Sequence, residues 1–274
     1  MALSPTVTLN NGVEIPQLGF GVFQVSNEDI IPTVQKALEV GYRHIDTAAA
    51  YGNEEGVGKA IANAGIPRDE VFVTTKLWNS EQGSDSALAA FDQSLARLGL
   101  DHVDLYLIHW PTPENKTYVD TWKAMEGIYA DGRARAIGVS NFQANHLHHL
   151  IRDTTVVPAI NQIELHPTFT QSELVGVHAE LGIHTEAWSP LGQAADLESG
   201  TVTEIASRLG KSTAQVVIRW HLQLGYIVFP KSVTPSRIES NFDVFDFELS
   251  DADVTAISAL DSGNRIGPDP DTFN

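Results

Sequence analysis

The chain has 274 residues, no cysteine, and 17 Lys+Arg against 35 Asp+Glu, for a formal charge of −18 at pH 7. Without cysteine there can be no disulfide, thiolate metal site or thiol nucleophile, and the acidic balance disfavours nucleic acid and anionic membranes as partners. The length suits one α/β barrel of about 250 residues, and no Gly/Ser/Pro-rich linker or charge block interrupts it, so one domain over residues 1–274 is expected.

Residues 1–5 carry no basic or apolar leader, and no stretch approaches the ~18 apolar residues of a membrane helix. A cytoplasmic protein is expected. Residues 6–9 and 13–15, joined by Asn10-Asn11-Gly12, read as a short β-hairpin. Strands are then expected at 17–19, 44–46, 71–76, 103–109, 134–140, 159–164, 184–187 and 227–230. The helical patterns between them lie at 29–40, 54–64, 84–98, 119–131, 144–153, 173–181, 202–210 and 213–224. One more, at 251–260, follows the last strand. Residues 261–274 are rich in Gly, Pro and Asp and read as a mobile tail.

Eight strands alternating with helices predict parallel βαβ units closed into a (β/α)8 TIM barrel with an N-terminal hairpin. A doubly wound open sheet is the competing arrangement. Its dinucleotide fingerprint fails here, because Gln24 stands where the third glycine of Gly19-Phe20-Gly21 would be needed.

In such barrels chemistry gathers at the C-terminal ends of the strands. Those ends carry Asp46, Lys76, His109, Ser140-Asn141, Gln162, Glu164, His166, Trp188-Ser189 and Lys231-Ser232. Strand-end polar groups often only cap the next helix, but so many together are harder to explain that way. Tyr51 follows Asp46 by five residues, and neighbouring strands lie ~4.8 Å apart, so Asp46, Tyr51, Lys76 and His109 can meet above the barrel. A Lys ammonium should lower the phenol pKa from ~10, with a carboxylate fixing the Lys and His109 steering a carbonyl oxygen. That arrangement suits proton donation to an oxygen on which charge develops. Hydride arriving at a carbonyl carbon has this effect. No side chain supplies hydride, so a nicotinamide cofactor is implied.

Several ordered motifs resemble the aldo-keto reductase superfamily: Gly41-Tyr42-Arg43-His44-Ile45-Asp46-Thr47-Ala48, Tyr51-Gly52-Asn53-Glu54, Asp104-Leu105-Tyr106-Leu107-Ile108-His109-Trp110-Pro111, Gly138-Val139-Ser140-Asn141-Phe142, Ile160-Asn161-Gln162, Ser189-Pro190-Leu191-Gly192 and Phe229-Pro230-Lys231-Ser232-Val233. Asn53-Glu54-Glu55-Gly56-Val57-Gly58 and Asp243-Val244-Phe245-Asp246-Phe247 are similar to the bacterial 2,5-diketo-D-gluconate reductase branch. The resemblance implies NADPH-dependent reduction of aldehydes, α-dicarbonyls or keto-sugars, with Asp46, Tyr51, Lys76 and His109 as catalytic tetrad. It places the nicotinamide carboxamide on Ser140, Asn141 and Gln162, and the ring on Trp188. Ser189, Leu191 and Gly192 would line the pyrophosphate channel, and Lys231, Ser232 and Arg237 would hold the 2′-phosphate. Asn241 would touch adenine, and Gly21, Val22, Asp46 and Val233 would complete the cofactor contacts. Ser240 stands where the family often has Glu, which puts one adenine contact in question and favours faster cofactor release. Phe23, Trp78 and Trp110 are expected to wall the substrate, Tyr118 being equally compatible with packing.

A monomer acting on a small carbonyl compound, without metal, nucleic acid or membrane partner, is therefore expected. One rival is a non-catalytic NADPH-binding, redox-sensing subunit of the same fold. Another is a metal-dependent hydrolase using His44, Asp46, His109 and His166, which leaves Lys76 and Tyr51 idle. The Gly138-x-Ser140 pair lacks the second glycine of a nucleophile elbow, Phe142 occupying its place. His146, His148 and His149 read as a solvated helix face.

Overall fold

The computed structural model describes residues 4–274. Eight parallel strands form the barrel: β3 (Phe20–Gly21), β4 (His44–Asp46), β5 (Phe72–Leu77), β6 (Val103–Ile108), β7 (Ala134–Ser140), β8 (Ile160–Glu164), β9 (His184–Trp188) and β10 (Ile227–Val228). Each pairs with its sequence neighbour. A parallel bridge from Leu18 to Val228 closes the ring, with Gly19 N–H donating to the Val228 carbonyl at 2.8 Å. The first barrel strand therefore falls later than the expected 17–19, because Gln17–Gly19 spend their backbone groups closing the ring onto β10.

All six residues of β5 and of β6 are buried, as expected of strands covered on one face by helices and on the other by the barrel interior. The outer layer is α1 (Ile30–Val40), α2 (Glu54–Ala62), α3 (Ser84–Leu98), α4 (Tyr118–Ala130), α5 (Ala144–Asp153), α6 (Ser172–Leu181), α7 (Gly200–Leu209) and α8 (Thr213–Gln223). In α3, Ala87, Ala90, Phe91, Ser94, Leu95 and Leu98 form the buried stripe, at the three-and-four spacing that turns one helix face to the strands. The short helix α9 (Pro235–Phe242) is absent from the helical patterns read in the sequence. Its polar sequence gives little apolar signal, although Pro235 at its first turn and the Ile238/Phe242 pair mark it in retrospect. Helix α10 (Asp251–Ser258) follows.

The hairpin of β1 (Thr6–Thr8) and β2 (Glu14–Pro16) closes the N-terminal end of the barrel. Its Leu9 and Ile15 join Phe72, Leu105, Leu107, Ala136, Ile160 and Ile227 in one apolar cluster, while Asn10 and Asn11 donate to the backbone of Pro158 and Arg135. One end of the barrel is thus sealed with apolar side chains, leaving the C-terminal end for polar groups. No described helix is long and apolar enough to cross a membrane.

Candidate active site

The loop from β4 to α2 is held from below. Asn53 accepts a hydrogen bond from Thr47 Oγ1 at 2.8 Å and donates to the Val22 carbonyl at 2.9 Å. Glu54, almost fully buried, accepts from Thr75 Oγ1 and from Arg97, each at 2.6 Å. Tyr51 rides on this loop. The cost of fixing it has been met by groups outside the reacting set.

Lys76, at the end of β5, has no exposed surface. Its Nζ donates to Asp46 Oδ1 at 2.7 Å, to the Thr47 carbonyl at 2.9 Å and to Tyr51 Oη at 3.4 Å. All three ammonium protons are spoken for. Burial works against this charge, but Asp46 and Tyr51 outweigh it and hold the Lys76 pKa above the ordinary lysine value. Burial likewise raises the Tyr51 pKa, and Lys76 offsets this only in part. The lowered phenol pKa expected from sequence is therefore corrected: desolvation wins over a neighbour at 3.4 Å, and Tyr51 is a neutral phenol with its proton in place. Burial, reinforced by the Lys76 charge, holds His109 well below the ordinary histidine value. A neutral imidazole with a buried, unpartnered Nδ1 stands 5.8 Å from the Tyr51 ring, centroid to centroid, and 5.1 Å from Trp78.

Beside this set lie the ends of β7, β8 and β9. Ser140 Oγ donates to the Gln162 carbonyl at 2.8 Å, Asn141 Nδ2 to the His109 carbonyl at 2.9 Å and to Ser140 Oγ at 3.0 Å, and Trp188 Nε1 to Asn141 Oδ1 at 2.8 Å. Gln162 Nε2 donates to Asp46 Oδ2 at 2.9 Å. Asn141 and Ser189 have φ of 64° and 49°, left-handed values that non-glycine residues adopt only where surroundings enforce them. Gly192, with φ of 55°, leads into the loop over this side, where a Cβ would come within 2.6 Å of the Asp196 carboxyl. Gly21 and Val22 are buried at the end of β3, and Val22 N–H donates to the Asp46 carbonyl.

Beyond β10, Lys231, Val233 and Arg237 are exposed, and Ser232 and Asn241 are buried. Ser232 Oγ accepts from Thr234 N–H at 3.1 Å at the start of α9, and Ser240 Oγ donates to the Arg237 carbonyl at 3.3 Å. Neither the Lys231 nor the Arg237 side chain makes an ion pair among the described residues, whereas Lys36, Lys59, Lys76 and Lys211 all do. Both cations therefore stand free of carboxylates, close together in sequence, where β10 leads into α9.

Phe23 and Trp78 lie beside the tetrad, and Trp110 follows His109 directly in the chain. Phe23, 55% exposed, lies 5.0 Å from the Tyr51 ring, Trp78 flanks His109, and Trp110 packs 4.6 Å from Phe273. Phe273 was not anticipated. It sits on the segment expected to be a mobile tail, which in the structure lies across the mouth. Ile266 and Gly267 donate their N–H groups to Glu164 at 2.5 and 2.8 Å, and Asn274 accepts from Glu114 N–H. Glu164 and Asp196 grip opposite nitrogens of buried His166 at 3.1 and 2.9 Å. Burial opposes a charge on that ring, but the two carboxylates outweigh it and raise its pKa to about 9. Both His166 nitrogens are therefore occupied, which removes it from any set of metal ligands with His44. Tyr118 is a packing residue, buried against Phe142 and bonded to His149. His146 is buried and caps α5 through the Gln143 N–H, not solvated as its spacing suggested.

The sequence profile described as "Aldo/keto reductase family" matches residues 17–262. An aldo-keto reductase of Mycolicibacterium smegmatis is 61% identical over 272 residues, covering 99% of each chain. Methylglyoxal reductase DkgA of Escherichia coli is 52% identical over 275 residues, covering 100% of this chain and 99% of its own. Among solved structures, a Gox0644 mutant in complex with NADPH superposes with a TM-score of 0.96 at 44% identity, over the full length of both chains.

Proposed function

The chain belongs to the aldo/keto reductase family, and on that premise we propose that it is a cytoplasmic, monomeric NADPH-dependent reductase of small carbonyl compounds, with Tyr51 as the proton donor. The observation that carries this reading is the buried chain Asp46–Lys76–Tyr51, at 2.7 and 3.4 Å, which ends in a phenol facing His109 and an aromatic pocket.

The residues present fit the cofactor. Gln162 Oε1 accepts no hydrogen bond among the described residues and is available to a carboxamide NH2, with Ser140, Asn141 and Trp188 beside it. The unpaired Lys231 and Arg237, with Ser232, suit a 2′-phosphate, and Asn241 and Val233 border the adenine end. Ser189, Leu191 and Gly192 lie along the channel between. When bound, NADPH supplies the hydride that the carbonyl carbon receives. Tyr51 gives its proton to the carbonyl oxygen as negative charge gathers there. Lys76 stabilises the phenolate that remains, and Asp46 keeps Lys76 charged and in place. His109, neutral, donates a hydrogen bond to the same oxygen and orients it. The loop over Asp196 and the seated tail help exclude water.

Phe23, Trp78, Trp110 and Phe273 give an aromatic pocket suited to aldehydes and α-dicarbonyls, and a relative named methylglyoxal reductase supports the second class. Keto-sugars are a further candidate class. The test is NADPH oxidation measured against methylglyoxal, aromatic aldehydes, diketo-sugar acids and ketosteroids. Reduction of the first two classes is expected, and activity confined to steroids would overturn the substrate assignment. Cofactor binding without turnover on any carbonyl would favour a sensing subunit instead.

A further inference from the structure

Glu186 lies in the middle of β9, opposite Gln162 of β8 in the strand register, with no exposed surface. It is two residues before Trp188, and side chains two apart share a face of a strand, so both address the barrel interior. Gln162 Nε2 donates to Asp46 Oδ2 at 2.9 Å and to Glu186 Oε2 at 2.8 Å. Asp46, paired with the Lys76 ammonium, can only accept here, which fixes the Gln162 atom facing it as nitrogen. The same nitrogen reaches Glu186, so both amide protons are used.

An acid in this place is expensive to bury. The nearby cation, Lys76, is already paired with Asp46. Burial and then the Asp46 charge push the Glu186 pKa up to about 8, so at neutral pH the carboxyl is mostly uncharged. Its Oε1 has no hydrogen-bond partner and lies 3.8 Å from His44 Nε2. An apolar side chain would fill the space without these costs. The distinct contribution of the acid is the acceptor it offers to Gln162.

We propose that Glu186 is a positioning residue for the cofactor, holding the second Gln162 amide proton so that the amide plane is fixed with its carbonyl oxygen toward the nicotinamide carboxamide. This rests on the reading of Gln162 as a carboxamide contact. A single bond to Asp46 would let the amide swing about the bond axis, and two bonds from one nitrogen pin it. The neighbouring Asn141 needs no such device, because its side chain is already tied to His109, Ser140 and Trp188.

The experiment compares Glu186→Leu with Glu186→Gln, alone and in a Gln162→Ala background, by titrating each with NADPH and following Trp fluorescence. Glu186→Leu should raise the NADPH Kd about tenfold, the scale of one hydrogen bond to a polar ligand. Glu186→Gln, which keeps an acceptor, should restore it to within about threefold of wild type. In Gln162→Ala protein the Leu substitution should have no further effect on Kd, since coupled residues are non-additive. Preference for NADP over its acetylpyridine analogue, which lacks the amide NH2, should also shrink in Glu186→Leu. Should the Leu variant not fold, Glu186→Met carries the same expectation. A Leu or Met variant that binds NADPH like wild type, a Gln variant as weak as Leu, or an undiminished effect without Gln162 would each overturn the proposal. Failure of the wild-type protein to bind NADPH would instead overturn the cofactor reading beneath it.

Discussion

The barrel interior and the junction of β10 with α9 handle positive charge in opposite ways. Lys76 is wholly buried and bonded to Asp46, Thr47 and Tyr51 before any ligand arrives. Lys231 and Arg237 are exposed and without an ion pair among the described residues, although acidic side chains abound on this surface. A buried cation has to be neutralised within the protein, since desolvation would otherwise remove its proton. An exposed cation can wait for an anionic ligand, hydrated meanwhile at little cost. On the proposed function the difference separates chemistry from binding: the interior charge would act on Tyr51, and the surface charges on the ligand itself.

Substitution at each end should therefore fail differently. The largest effect is expected from Lys76→Met, which strands the Asp46 carboxylate in the interior. Removing one member of a buried pair costs about 3–5 kcal/mol of stability, and carbonyl reduction should collapse with it. Thermal unfolding and steady-state turnover on one preparation check both. A Met variant with wild-type melting and turnover would erase the distinction between the two ends.

Arg237→Ala should leave melting unchanged and act on cofactor choice. A charge-assisted hydrogen bond is worth ~1.5–3 kcal/mol, so the preference for NADPH over NADH should narrow by about tenfold to a hundredfold, with NADH kinetics nearly unaltered. Equal losses for the two cofactors would mean that this end is not a phosphate site.

A smaller effect concerns His166, a second buried cation, which ties the tail and the Asp196 loop to β8. Its folded pKa of about 9 lies above its unfolded value of ~6.5. Its stabilisation is therefore full below about pH 6.5 and is lost as pH rises through 9. The gap in thermal midpoint between wild type and His166→Gln should be widest near pH 6 and close by pH 9.5. A gap that widens with pH would show that His166 is not held as a cation.

How legible this was in the sequence follows from the same physics. The strand ends announce themselves, because Asp46, Lys76, His109 and Gln162 each fall at the C-terminal side of a short β-rich run. Glu186 carries no signal of its own, because an acid in mid-strand is more often on an outward face. Counting back two from Trp188 would have turned it inward. Tail contacts such as Phe273 on Trp110 and Ile266 on Glu164 join residues far apart in the chain, and Gly/Pro-rich sequence carries no periodicity to reveal them. The direction of the Tyr51 shift depends on burial set against a 3.4 Å contact, a balance that exists only once the loop is placed.

The most direct test of Tyr51 as proton donor is Tyr51→Phe, which deletes one hydroxyl and keeps the ring against Phe23 and His109. NADPH binding by Trp fluorescence and carbonyl reduction by NADPH oxidation would be measured side by side. The expected result is a Kd within about threefold of wild type and turnover lower by about 10²–10⁴, the range of general acid catalysis. Turnover near the wild-type rate with NADPH bound normally would contradict it.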